Sequence, residues 1–269
     1  MSDAPPDAGL AVDPALHDLI RSLRATALTR VFSVTYSGRK LWVKTAGAPR
    51  LRSSVLMQRT IAAVFALPIL RPARSQPGAM GLAAEAGAVR RLAEAGFSVP
   101  AVIACTGQWL VLSDAGEALE TLLNAEQDID ARWGMIATAS RLLARLHAAN
   151  LWHGGAQIRN FSWHANTPGL LDLEDNDLPG MTLHEKQARD LLLFLYSLMR
   201  YDKNAAPPHL PGLATELLAQ ATPEVRDALR KLRRRMAWLL GLARLIAPYA
   251  GRDVRQAVAA DDALAIALK

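Results

Sequence analysis

The chain has 269 residues, 51% of them hydrophobic, enough for one two-lobed domain or two small ones with a sizeable buried core. Its single cysteine, Cys105, excludes an internal disulfide and any cysteine-built zinc cluster, and it fits a reducing cytoplasm. The formal charge of +6, carried largely by arginine, suits an anionic partner such as a nucleotide or a phospholipid, although an arginine- and alanine-rich composition produces the same charge with no partner at all.

Residues 1–12 read as a disordered tail, polar and acidic, with neither the basic start nor the apolar stretch of a secretory signal. Asp13-Pro14 is a helix start, a cap residue followed by proline at the first helical position, and the helix runs to about Ala25. From Val31 the period becomes two. Val31–Tyr36 and Leu41–Lys44 flank the turn Ser37-Gly38 as a β-hairpin. Residues 45–83 hold no acidic residue and five arginines (Arg50, Arg52, Arg59, Arg71, Arg74) around the apolar stretch Ile61–Leu70. A helix over about Gly81–Ala95 follows. Strands are expected at Val99–Ala104 and Trp109–Leu112, then a short helix at Leu119–Leu123. Over 132–149 the stripe Ile136, Ala139, Leu143, Leu146 predicts an amphipathic helix. Trp152–Gly180 reads as loop-rich. Beyond Leu183 the pattern is helical, interrupted at Pro207-Pro208, Pro223 and Pro248. The longest strongly apolar runs, such as Leu191–Met199, fall far short of the ~20 residues a spanning helix needs.

The densest chemical signal is Leu146-His147-Ala148-Ala149-Asn150-Leu151-Trp152-His153-Gly154-Gly155-Ala156-Gln157-Ile158-Arg159-Asn160. Asp172, in Leu171-Asp172-Leu173-Glu174, follows after the turn Thr167-Pro168-Gly169. One carboxylate and one amide oxygen suffice to hold Mg²⁺, which keeps several of its waters. Asp172 and Asn160 are that pair; either alone also reads as a solvated loop residue. The series resembles the catalytic and metal-binding loops of kinase-like phosphotransferases, where His-Gly-Asp, four residues and Asn precede a hydrophobic-Asp pair. It is most similar to lipopolysaccharide (Kdo) kinases and to the small atypical kinases of the KEOPS-complex and RIO type, which share His153-Gly154. The resemblance spans roughly residues 30–200. It implies that Lys44 holds the phosphates of ATP, that Glu85 pairs with Lys44, and that Asp190 supports the catalytic-loop backbone from a buried helix. It also implies an α+β, two-lobed protein-kinase-like fold. A small antiparallel-sheet lobe with one main helix would cover 13–113, carrying the insertion 45–83, and a mostly helical lobe would cover 114–269.

Two departures from the pattern stand out. Gly155 occupies the place of the usual catalytic Asp, and losing a general base costs ~10²–10⁴ in rate. Glu174 or Asp175 could supply a displaced carboxylate, and the glycine itself could serve a backbone with positive φ or a close approach to a ligand. No glycine-rich loop is present beyond Ser37-Gly38-Arg39. The two functional expectations are therefore an ATP- and Mg²⁺-dependent phosphotransferase acting on a sugar, glycolipid or protein hydroxyl, and a pseudokinase that binds nucleotide or partners. The acid-free insertion 45–83 reads either as a helix packed on the small lobe or as a contact with an anionic inner-membrane surface; Arg230-Lys231 and Arg233-Arg234-Arg235 carry the same two readings. No aromatic-interleaved basic stripe points to nucleic acid. His147, His153, His164 and His184 lack metal spacing, so His153 is expected to hold the loop by hydrogen bonds.

Overall fold

The computed structural model describes residues 13–27, 29–46, 69, 78–202, 208–246 and 252–269. It is a mixed α+β chain with two small antiparallel sheets, divided into two compact units. Most of the stretch 45–83 lies outside the described residues. Of it, Thr45 closes a strand, residues 78–83 open a helix, and Ile69 is buried.

The first unit holds residues 13–46 and 78–116 of the described chain. Helix α1 (Pro14–Thr26) starts where Asp13 caps it, its carboxylate accepting from the Ala15 N–H at 3.1 Å. Strands β1 (Val31–Tyr36) and β2 (Arg39–Thr45) form a hairpin whose two-residue turn, Ser37-Gly38, has positive φ at both positions, as a primed turn requires. After α2 (Gly78–Glu94) come β3 (Val102–Cys105) and β4 (Trp109–Ser113), completing a sheet of order β1-β2-β4-β3. Helix α2 begins three residues before the position its pattern predicts, and β3 starts at Val102 rather than Val99. Pro100 has no N–H to donate to a ladder.

Strand alternation explains the packing of this sheet. Val34, Leu41, Val43, Trp109 and Val111 point to one face, where Leu16 and Ile20 of α1 cover them. Leu110 and Leu112 point to the other, against Leu82 and Ala86 of α2. Each fully buried aliphatic side chain of this kind contributes about 1.5–3 kcal/mol.

The second unit runs from Glu117 to the end, with Ile69. The short strand β5 (Glu117–Ala118) leads into α3 (Leu119–Ala125). Helix α4 (Ile129–Ala148) starts at its cap Asp128, earlier than the apolar stripe alone indicates, and buries Ile136, Ala139, Leu143 and Leu146 completely. The stretch expected to be loop contains a hairpin, β6 (Phe161–His164) and β7 (Thr167–Leu170), which joins β5 in a second sheet of order β5-β6-β7. The turn is not at Thr167-Pro168-Gly169: it is Ala165-Asn166, both at positive φ, and Pro168 sits within β7. That strand is an edge, where proline's missing N–H costs no ladder bond. Helices α5 (Leu183–Asp202), α6 (Leu210–Gln220), α7 (Pro223–Ile246) and α8 (Arg252–Ala267) follow. Among the described residues no helix is long and apolar enough to cross a membrane.

Candidate functional site

In the first unit, Lys44 alternates away from Val43, onto the sheet face that α2 covers. Glu85 lies on the buried stripe of α2, between Leu82 and Val89. The two therefore meet, with Lys44 Nζ 2.5 Å from Glu85 Oε1 and the Glu85 side chain fully buried. Two charges withdrawn from water in this way gain little net stability over an apolar pair, whereas removing one of them costs about 3–5 kcal/mol.

The second unit brings His153, Gly154, Gly155, Asn160, Asp172 and Asp190 into one neighbourhood, and α5 is what organises it. Asp190 is fully buried, and its carboxylate accepts the backbone N–H of His153 (2.7 Å) and of Gly154 (2.8 Å). His147 Nε2 lies 3.3 Å from the same carboxylate. One turn earlier, the Gln187 amide donates to the carbonyls of His147 (2.9 Å), in the last turn of α4, and of Leu151 (3.2 Å), just beyond it. Arg189 Nε donates to the Gly154 carbonyl at 3.1 Å, and the Ser197 hydroxyl accepts from the Ile158 N–H at 2.9 Å. Four side chains of one helix thus fix the backbone from 147 to 158.

Within the loop, His153 is fully buried and stacks on Phe161, and its Nδ1 accepts from the Gly155 N–H at 3.2 Å. With Nδ1 accepting, Nε2 is left as the ring's donor, and it finds no hydrogen-bond partner among the described residues. Asn160, at the end of a short 3₁₀ turn (Ile158–Asn160), donates its Nδ2 to the Gly155 carbonyl at 2.8 Å. Its Oδ1 can act only as an acceptor. Asp172 has φ 58° and ψ 64°, a left-handed conformation that costs a non-glycine residue free energy and is concentrated at functional sites. An amide oxygen and a carboxylate are hard donors, so this pair fits a divalent cation such as Mg²⁺.

Trp152, Asn176 and Asp175 knit the two loops together, and of these only Asn176 is unmarked in the sequence. Trp152 Nε1 donates to the Asn176 carbonyl and Asn176 Nδ2 donates to the Trp152 carbonyl, each at 2.8 Å. Gly154 has φ +93°, and a Cβ there would lie 2.2 Å from the Asp175 carbonyl oxygen. The positive-φ requirement therefore belongs to Gly154, not to Gly155. At Gly155 a Cβ would meet side chains instead: Asp175 Oδ2 at 3.3 Å and Asn160 Nδ2 at 3.6 Å. Asp175 is the third residue. Burial raises its carboxyl pKa above the usual value, as do the charges of Glu174 and Asp172, while Arg189 and His153 pull the other way. Arg189 is itself lowered by burial, and Asp175 and Asp190 counter that shift.

No protein-family model matches the chain. Over 172 residues it is 26% identical to an uncharacterized protein of Haemophilus influenzae, and the aligned segment covers 64% of this chain and 63% of that protein.

Proposed function

We propose that this chain is an ATP-dependent phosphotransferase with a two-lobed, kinase-like architecture, acting on a hydroxyl of a sugar, a glycolipid or a protein. The observation that carries the reading is the Asp190 carboxylate gripping the His153 and Gly154 amides of the loop whose Gly155 carbonyl holds Asn160, with the left-handed Asp172 one residue beyond Leu171, whose N–H bonds the Asn160 carbonyl. Bound Mg²⁺ would supply neutralisation of charge on the transferred phosphoryl group. The chain's own part is to present Asn160 Oδ1 and the Asp172 carboxylate to the ion, and to hold Lys44, oriented by Glu85, for the phosphates. Calorimetric titration with ATP, with and without Mg²⁺, tests this. Asp172→Ala should abolish the Mg²⁺-dependent part while leaving the melting temperature near that of the wild type. No affinity of the wild type for ATP at millimolar concentration rejects the reading.

One observation favours a second reading. Gly155 brings no carboxylate to the position of the usual base, as expected of a pseudokinase that binds nucleotide without transferring phosphate. Mg-ATP binding with no turnover would select it.

We also propose a cytoplasmic location with a peripheral contact to the anionic inner leaflet, the alternative being basic helices packed on the protein with their arginines solvated. Helix α7 supports that location: Trp238, Leu242 and Leu245 are 64%, 49% and 74% exposed on one stripe, and exposed Lys231, Arg234 and Arg235 precede them.

A further inference from the structure

We propose that Asp175 supplies the carboxylate that position 155 lacks, accepting the proton of the attacking hydroxyl; this rests on the phosphotransferase reading. Of the three atoms nearest to a Cβ built on Gly155, two belong to the Asp175 side chain, at 3.3 and 3.4 Å, and none to Glu174. The third is Asn160 Nδ2, so Asp175 stands beside the proposed metal-binding amide, where a side chain from 155 would have started. Its backbone is held there independently. The Asp175 carbonyl packs against Gly154, which has no Cβ to block it, and the next residue, Asn176, is locked to Trp152 and His153.

The charges of Glu174 and Asp172 surround the Asp175 carboxyl, with Arg189 and His153 opposing them. Arg189 donates hydrogen bonds to the carbonyls of Gly154 and Ile69. The group is half-buried beside two other carboxylates, an arrangement that disfavours its charge. Gly155 then has a reason of its own. An aspartate at 155 would crowd the carboxylate already present and add a like charge.

In the step, the acceptor oxygen bonds to the γ-phosphorus of the nucleoside triphosphate. The bond from that phosphorus to the β–γ bridging oxygen breaks, its electron pair leaving with the diphosphate. The acceptor's proton passes to an Asp175 carboxylate oxygen and from there to solvent.

The test uses water as the acceptor. Mg-ATP affinity by calorimetry, ATP hydrolysis and melting temperature are measured for the full chain and for Asp175→Asn, Gly155→Asp and the double variant. The expected result is that Asp175→Asn binds Mg-ATP within about threefold of the wild type, loses ~10²–10⁴ in kcat, and melts no lower. Adding Gly155→Asp to it should recover at least tenfold of the loss, while Gly155→Asp alone lowers the melting temperature. Unchanged kcat in Asp175→Asn overturns the assignment, and so does a variant that loses ATP affinity or melts lower. Wild-type protein that binds Mg-ATP without hydrolysing it overturns the assignment and leaves nucleotide binding standing. A wild type with no ATP affinity overturns the phosphotransferase reading itself.

Discussion

Gly154 and Gly155 are adjacent and differ in what they tolerate. At Gly154 a methyl group meets backbone at 2.2 Å and the residue has φ +93°, so neither a rotamer change nor a small shift relieves it. Gly154→Ala is expected to cost more than 3 kcal/mol in urea unfolding, the range of overpacking and backbone strain combined. Gly155→Ala, though buried, meets only side-chain atoms, the nearest at 3.3 Å, and should cost about 1 kcal/mol, well below Gly154→Ala. Asp175 makes a prediction against pH. Its carboxyl pKa is raised in the folded chain, so its stabilising contribution is complete below the unfolded value and is lost as pH rises through the folded one. Asp175→Asn should therefore melt higher than the wild type at pH 7, and the two curves should converge near pH 4, which thermal scans across that window will check. For Lys44 and Glu85, either single substitution to alanine should cost about 3–5 kcal/mol, while Lys44→Met combined with Glu85→Leu should fall within about 1 kcal/mol of the wild type or above it. That contrast separates a pair kept for stability from a pair kept for ligand contact.

At the scale of elements, α5 is the platform on which the loop rests. Gln187, Asp190 and Ser197 recur at helical spacing along one side and Arg189 adds a fourth hold. Asp190→Ala would orphan two buried N–H groups and is expected to cost on the order of 3 kcal/mol, with amide exchange at His153 and Gly154 accelerated accordingly. Asp190 is legible in the sequence because a charge at the mouth of the apolar run Leu191–Leu195 needs a buried partner. Glu85 is less so, since only the tertiary contact distinguishes it from a solvated helix glutamate. Strands β6 and β7 escape the pattern because four residues are too few to display alternation, and Pro168-Gly169 imitates a turn more strongly than Ala165-Asn166 does. The Trp152–Asn176 exchange joins residues 24 apart through backbone carbonyls, for which no side-chain motif exists.

At the scale of the whole molecule, the order of strands early and helices late is what makes the α+β class readable, since a change of hydrophobic period survives any error in individual boundaries. The net charge of +6 and the α7 stripe give a prediction at the same scale. Co-sedimentation with vesicles should require anionic lipid and fall as salt rises, because the attraction is screened over about 10 Å at 0.1 M. Trp238→Asp should weaken it, and equal partitioning onto neutral and anionic vesicles would sink the idea. Helix α1 has a practical consequence. It lies ahead of residue 30, where the resemblance to kinase-like enzymes begins, yet Leu16 and Ile20 pack in one buried cluster with Val34, Leu41, Val43, Trp109 and Val111 of the sheet. A chain trimmed to start at Arg30 would present Val34, Leu41, Val43, Trp109 and Val111 to water as one continuous oily surface, and such surfaces drive self-association. A chain starting at Arg30 should therefore partition further into inclusion bodies than one starting at Asp13, which comparing the soluble fractions of the two will check.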